Sequence, residues 1–171
     1  RPTIDVTSCL DTPYVVIDDE VEELLRTAWD QTAHASPTHQ AFQSGLSYRL
    51  RRSKIAYERF ERIVTRANLD RPDVRIGLEG SEHGIRQQIP LDEDFAWLLG
   101  VFVAEGSLSS FCPTIHNGDE TLVEEVVDRG EQALGFEPRT RWSNRAWEVR
   151  FPAVFREVLY DLGFEECDEY S

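Results

Sequence analysis

Methionine is absent from this chain of 171 residues, lysine occurs once (Lys54), and there are only three cysteines. Three is too few, and odd, for a disulfide framework. Cys9, Cys112 and Cys167 are also too far apart for metal-ligand spacing, so they read as ordinary reduced thiols. No apolar run approaches the roughly 18 residues a membrane span needs, and no apolar leader opens the chain. A Gly-rich phosphate loop, a nucleophile elbow and a zinc-protease helix are equally missing. These absences exclude a secreted disulfide scaffold and a membrane protein, and leave the expectation of a soluble cytoplasmic protein with no membrane partner. Arg1 standing where a start Met would be expected reads as a fragment of something longer.

Acid is what the chain has in excess, with 32 Asp and Glu against 18 Arg and Lys and a formal charge of −14. A dense carboxylate surface with almost no lysine keeps a protein hydrated at very high salt, where the short Debye length screens self-repulsion. The composition therefore reads as adaptation to the cytoplasm of a salt-loving source. The acids are interleaved with apolar residues, which make up 40% of the chain, and so do not form a solvating tail. Net charge alone argues against nucleic acid, because the phosphate backbone rewards Lys and Arg. Its distribution does not. Residues 1–48 sum to −6 and residues 76–171 to −13, whereas residues 49–75, with nine basic and four acidic side chains, sum to +5.

Along the chain, Asp18 or Asp19 can cap a helix from Glu20 to about Ala33 that carries Val21, Leu24, Leu25 and Ala28 on one face. From Gln40 to Ala67 the spacing is again helical. The arginines of this stretch read either as a solvated face or as a phosphate-contacting arm in which Arg51 and Arg52 would touch DNA. Pro72, Gly77, Gly80, Gly84 and Pro90 make residues 69–90 look like a linker with little fixed structure. The expected division is thus a mostly helical N-terminal extension (1–68), a linker (69–90) and a compact region (91–171).

The compact region has the clearest pattern. Asp92 can cap a helix that is apolar around most of its circumference and ends at Gly106, which implies burial on nearly all sides. Two short strands follow, at about Ser107–Ser110 and Phe111–Asn117, then a helix to about Leu134. Two further strands, Phe136–Trp142 and Trp147–Phe151, are joined by a hairpin, and Pro152 opens a last helix stopped by Gly163. The order is α-β-β-α-β-β-α, an α+β class. In the second hairpin Phe136, Thr140, Trp142, Trp147, Val149 and Phe151 fall on one face, leaving Glu137, Arg139, Arg141, Glu148 and Arg150 on the other. Together with Thr114 and His116 on the neighbouring strand, this polar face is a candidate duplex-reading surface, since arginine reads guanine edges bidentately and a β-ribbon fits the major groove. Any half-solvated sheet also carries polar residues outside.

The segment Leu98-Leu99-Gly100-Val101-Phe102-Val103-Ala104-Glu105-Gly106 resembles the nine-residue signature of the LAGLIDADG, or DOD-type, homing endonucleases, including those embedded in inteins. The α-β-β-α-β-β-α order over about residues 91–164 is that family's half-unit, built on an antiparallel saddle sheet. Residues 46–60 are similar to the lead-in of the endonuclease region in some archaeal inteins. The resemblance implies that Leu98, Gly100, Ala104 and Gly106 form a helix-packing motif against a second such helix. It implies a catalytic Glu105 that holds Mg²⁺ or Mn²⁺, hard cations that favour carboxylate oxygens and water and that can activate water and stabilise charge on a phosphate being cut. It also implies a site-specific double-stranded DNA endonuclease, with Arg139, Arg141, Arg150, Thr114, His116, Arg51 and Arg52 as DNA contacts.

Only one nonapeptide is present. The partner half is expected either in cis in a longer parent or from a homodimer. The alternatives are a non-cutting DNA- or RNA-binding relative, such as a maturase or regulator, or a decayed intein remnant. Arg1 and Ser171 do not fit splice-junction chemistry, so the chain alone is not expected to splice.

Overall fold

The computed structural model describes residues 1–32 and 54–166, an α+β protein of five helices and three antiparallel sheets among those residues. The first layer is a four-stranded sheet of order β3-β2-β4-β5, formed by Tyr14–Val16 (β2), Lys54–Ala56 (β3), Arg75–Gly77 (β4) and Gly84–Arg86 (β5). Helices Asp19–Thr32 (α1) and Tyr57–Ala67 (α2) pack together beside it and bury Val21, Leu25, Phe60, Ile63 and Val64. The expected cap of α1 is present, with the Asp18 carboxylate accepting the Val21 N–H at 2.9 Å.

Two expectations for this region are corrected. Helical spacing from Gln40 to Ala67 holds in the described residues only from Tyr57; Lys54–Ala56 is a strand, because Ile55 is almost fully buried beside Val15, its cross-strand partner. Residues 40–53, with Arg51 and Arg52, lie outside the described residues. Residues 69–90 are not a structureless linker. They hold β4, β5 and Gln88–Pro90 (β6), with Val74, Ile76, Ile85 and Ile89 buried. The glycines that suggested a linker serve close packing. Gly77 and Gly84 face each other across β4 and β5, and a Cβ on Gly84 would lie 2.7 Å from both the Ile76 carbonyl oxygen and Val16 Cγ2.

The N-terminus is tied to the entry of the second layer. Thr3–Asp5 (β1) pairs with β6, and the Leu91 N–H donates to the Pro2 carbonyl at 3.0 Å. From there the chain follows the expected order: Glu93–Glu105 (α3), Gly106–Ser107 (β7), Thr114–Asn117 (β8), Glu120–Leu134 (α4), Arg139–Ser143 (β9), Ala146–Arg150 (β10) and Ala153–Asp161 (α5). The four strands form one antiparallel sheet of order β7-β8-β10-β9. Side-chain caps start two of these helices: Asp92 accepts from Phe95 N at 3.1 Å and Asp119 from Thr121 N at 3.0 Å. Gly135, at φ 66°, ends α4 in the left-handed region that favours glycine.

Helix α5 joins the layers, since it packs on β4, on β5 and on the 3-10 turn Val6–Cys9. At that seam the Cys9 thiol sits 3.5 Å from an Asp161 oxygen, and burial followed by the Asp161 charge and hydrogen bond push its pKa up to about 11. Cys9 and Cys112 are both free thiols. Among the described residues no helix is long and apolar enough to cross a membrane.

Candidate nucleic-acid interface

Helix α3 is positioned from its inner face. Phe95, Leu98 and Phe102 are buried at helical spacing, and the Phe102 ring meets Phe151 and Phe155 edge-on at centroid distances of 5.2 and 5.4 Å. One flank is fixed by α4. Arg129 lies over the Trp97 ring at 4.9 Å and pairs with both Asp94 and Glu125. The opposite face, formed by Ala96, Gly100, Val103 and Ala104, is uncovered, with Val103 76% exposed and nothing within 4 Å of a Cβ built on Gly100. The expectation that this apolar helix is buried on nearly all sides is therefore corrected. Its residues are apolar all round, yet one stripe of them has no partner among the described residues.

Glu105 is the last residue of α3 and is exposed. Gly106 follows because nothing larger fits without a shift: a Cβ there would lie 2.5 Å from both the Phe102 ring and the Phe102 carbonyl oxygen. The chain passes directly into edge strand β7, so the acid stands where helix and sheet meet. Glu105 is the residue immediately before edge strand β7, whose Gly106 pairs with Ile115.

The same register continues across the sheet. His116 is opposite Glu148, and Glu148 is opposite Arg141; the next row runs Ser107, Thr114, Arg150 and Arg139. Strand alternation thus brings the expected residues to one face. Val149, Ile115 and Phe151 are buried on the other.

Four details differ from the expectation. Thr114 is only 4% exposed, enclosed in the middle of its row, and offers little to a ligand. Glu137 lies before β9 and lines a groove on the helix side with Glu120, Glu124 and Asp128 over an apolar floor of Val123, Val127 and Trp147. Trp142, expected inside, is 55% exposed and leans edge-on against Trp147, because β9 is the edge strand of its sheet. Arg139 is held by the first layer, with its guanidinium donating to His83 Nε2 at 2.6 Å.

Glu148 is the hub of the exposed face. Its side chain is only 13% exposed; one oxygen accepts from Arg150 at 3.0 Å with Arg141 at 3.7 Å, and the other lies 3.2 Å from His116 Nε2. Burial alone would raise its pKa, but the His116 hydrogen bond and the charges of Arg150 and Arg141 outweigh it and hold the carboxyl below the usual range. Neither His83 nor this role of Glu148 was anticipated. His83 stood in the apparent linker, while Glu148 was already visible as the acid among the β10 and β9 arginines.

Metal chemistry has one donor here. Among the described residues no group of three His, Cys, Asp or Glu side chains could hold an ion. Glu105 could supply one carboxylate to a hard cation that takes about six oxygen ligands.

No protein-family model matches the chain. A stretch of 91 residues, 52% of the chain, is 32% identical to part of the DNA polymerase II large subunit of Haloquadratum walsbyi, and the chain spans 4% of that protein's length.

Proposed function

We propose that this chain is one half of a LAGLIDADG-type, metal-dependent, double-stranded DNA endonuclease, borne in an intein and acting in the cytoplasm of a salt-adapted archaeon. One observation carries the reading: the uncovered small-residue stripe of α3, which leads to an exposed carboxylate at the edge of an arginine-bearing sheet. An apolar stripe left open at Gly100 and Ala104 suits a second helix approaching backbone to backbone. That approach would bring a second acid beside Glu105. In this reading the partner half is supplied in cis by a longer parent or by a second copy of the chain.

Each residue then has a task. Glu105 would hold one side of a Mg²⁺ or Mn²⁺ ion, which supplies an activated water and neutralises charge on the phosphate. Arg141, Arg150 and His116 would face the duplex. The match to a short part of a DNA polymerase subunit from Haloquadratum walsbyi supports an element carried inside a much larger host chain.

The test is to incubate the assembled two-half protein with duplex spanning the uninterrupted host-gene junction, in Mg²⁺ and in Mn²⁺. Double-strand cleavage is expected, with Glu105→Gln reducing it at least about a hundredfold. Cleavage that survives Glu105→Gln would refute the metal role. Binding without cleavage in either metal would instead identify a non-cutting DNA-binding relative.

A further inference from the structure

Glu148 is out of place on a surface meant for phosphates. It lies mid-strand on the solvent face of β10, yet its side chain is 13% exposed, with Arg141, Arg150 and His116 gathered around it. Both oxygens are engaged: Oε1 at 3.0 Å from Arg150 and 3.7 Å from Arg141, Oε2 at 3.2 Å from His116 Nε2. Arg141, Arg150 and Glu148 together carry two positive charges and one negative.

Two physical consequences follow. The carboxylate cancels charge at the place where a phosphate would be drawn in, which weakens binding to any duplex irrespective of sequence. It also orients the Arg150 guanidinium by a hydrogen bond and draws the Arg141 guanidinium to 3.7 Å by charge, leaving their remaining N–H groups to be matched by acceptors on base edges. A duplex in the wrong register brings phosphate oxygens against Glu148, which repels them. One in the right register presents base-edge acceptors to the forks and amino groups to the acid.

We propose that Glu148 is a specificity-determining residue, an internal acid that suppresses sequence-independent DNA binding by this sheet while orienting Arg150 and holding Arg141 near it by charge. The proposal rests on the reading of this face as DNA-binding.

The experiment measures binding of the assembled two-half protein to a random-sequence 30-base-pair duplex by fluorescence anisotropy between 0.3 and 1 M KCl, with the fold checked by circular dichroism at each salt. Glu148→Gln keeps the shape and removes the charge. Freeing the equivalent of one further phosphate contact steepens the log–log salt slope by about 0.9, which is about threefold tighter binding at 0.3 M and no difference near 1 M. Glu23→Gln on exposed α1 removes the same net charge elsewhere and should leave affinity unchanged. Should the wild type bind and Glu148→Gln bind no tighter, or Glu23→Gln tighten binding as much, the inference is overturned while the DNA-binding reading stands. If neither wild type nor Glu148→Gln binds duplex, the DNA-binding reading itself fails. A merely structural Glu148 would lower the melting temperature and leave the salt slope unmoved.

Discussion

Gly100→Ala should act in opposite directions on the isolated chain and on its assembled form. Glycine within a helix costs about 1 kcal/mol relative to alanine, chiefly in backbone entropy. That cost is normally justified by something the missing Cβ avoids. In α3 nothing among the described residues is avoided, since a Cβ on Gly100 has no neighbour within 4 Å there. The substitution should therefore stabilise the isolated chain by about 1 kcal/mol, a rise of about 2–4 °C in melting temperature for a protein of this size. In the two-half protein the same methyl group would stand between helices in close contact and push them apart, weakening assembly and cleavage; Gly100→Leu should do so more strongly. Thermal unfolding followed by circular dichroism reads the first effect, and sedimentation with duplex cleavage reads the second. A lower melting temperature would mean that the face is covered after all. A higher one, with assembly and cleavage untouched, would remove the reason for a small residue at this position.

At the other end of the motif, Gly106→Ala should destabilise the chain by about 1–3 kcal/mol in urea unfolding, because its Cβ would fall 2.5 Å from both the ring and the carbonyl oxygen of Phe102. Arg145 turns the β9–β10 hairpin at φ 71°, after Asn144 at φ 50°, a two-residue turn that favours glycine at its second position. Arg145→Gly should stabilise by about 1 kcal/mol, and any accompanying loss of duplex affinity would show what the strained arginine is kept for. The folded-state pKa of Glu148 is depressed below its ordinary 4.5, so its ion pairs stabilise the fold at neutral pH, and that contribution is lost as pH falls through the folded value. Urea midpoints measured at pH 7 and pH 3 should fall further for the wild type than for Glu148→Gln; equal falls would show the pairs contribute nothing.

Much of the second layer was legible because local signals agreed there. The cap at Asp92, the stop at Gly163 and the alternation on the two strands of the second hairpin all pointed to one arrangement, and the register realises it. The first layer was not, for a physical reason. Its strands are three residues long, too short for a period to declare itself, and two of its glycines act through tertiary closeness that mimics the composition of a linker. A finer signal was there: Val74 and Ile76 stand two apart, as do Ile85, Gln87 and Ile89, and the buried ones among them mark strands. Thr114 failed for another reason, since alternation assigns a face but not an exposure, and a central position among longer side chains closes over a small one.

The excess of acid takes on a sharper meaning once the faces of the sheet are distinguished. On the helix side Glu120, Glu124, Asp128 and Glu137 crowd one groove, while the open face carries Arg139, Arg141, Arg150 and His116 around Glu148, with Glu105 just before its edge strand. A net charge of −14 therefore coexists with a locally basic surface. Uniform acidity would repel a duplex from every side at low salt; a polarised distribution leaves a basic face open to it. At high salt, where the Debye length is about 3 Å at 1 M, the distant acids cease to matter and only groups in contact act. An arginine face with an internal acid then has its affinity governed by hydrogen-bond geometry more than by summed charge, which is the condition under which sequence can be read.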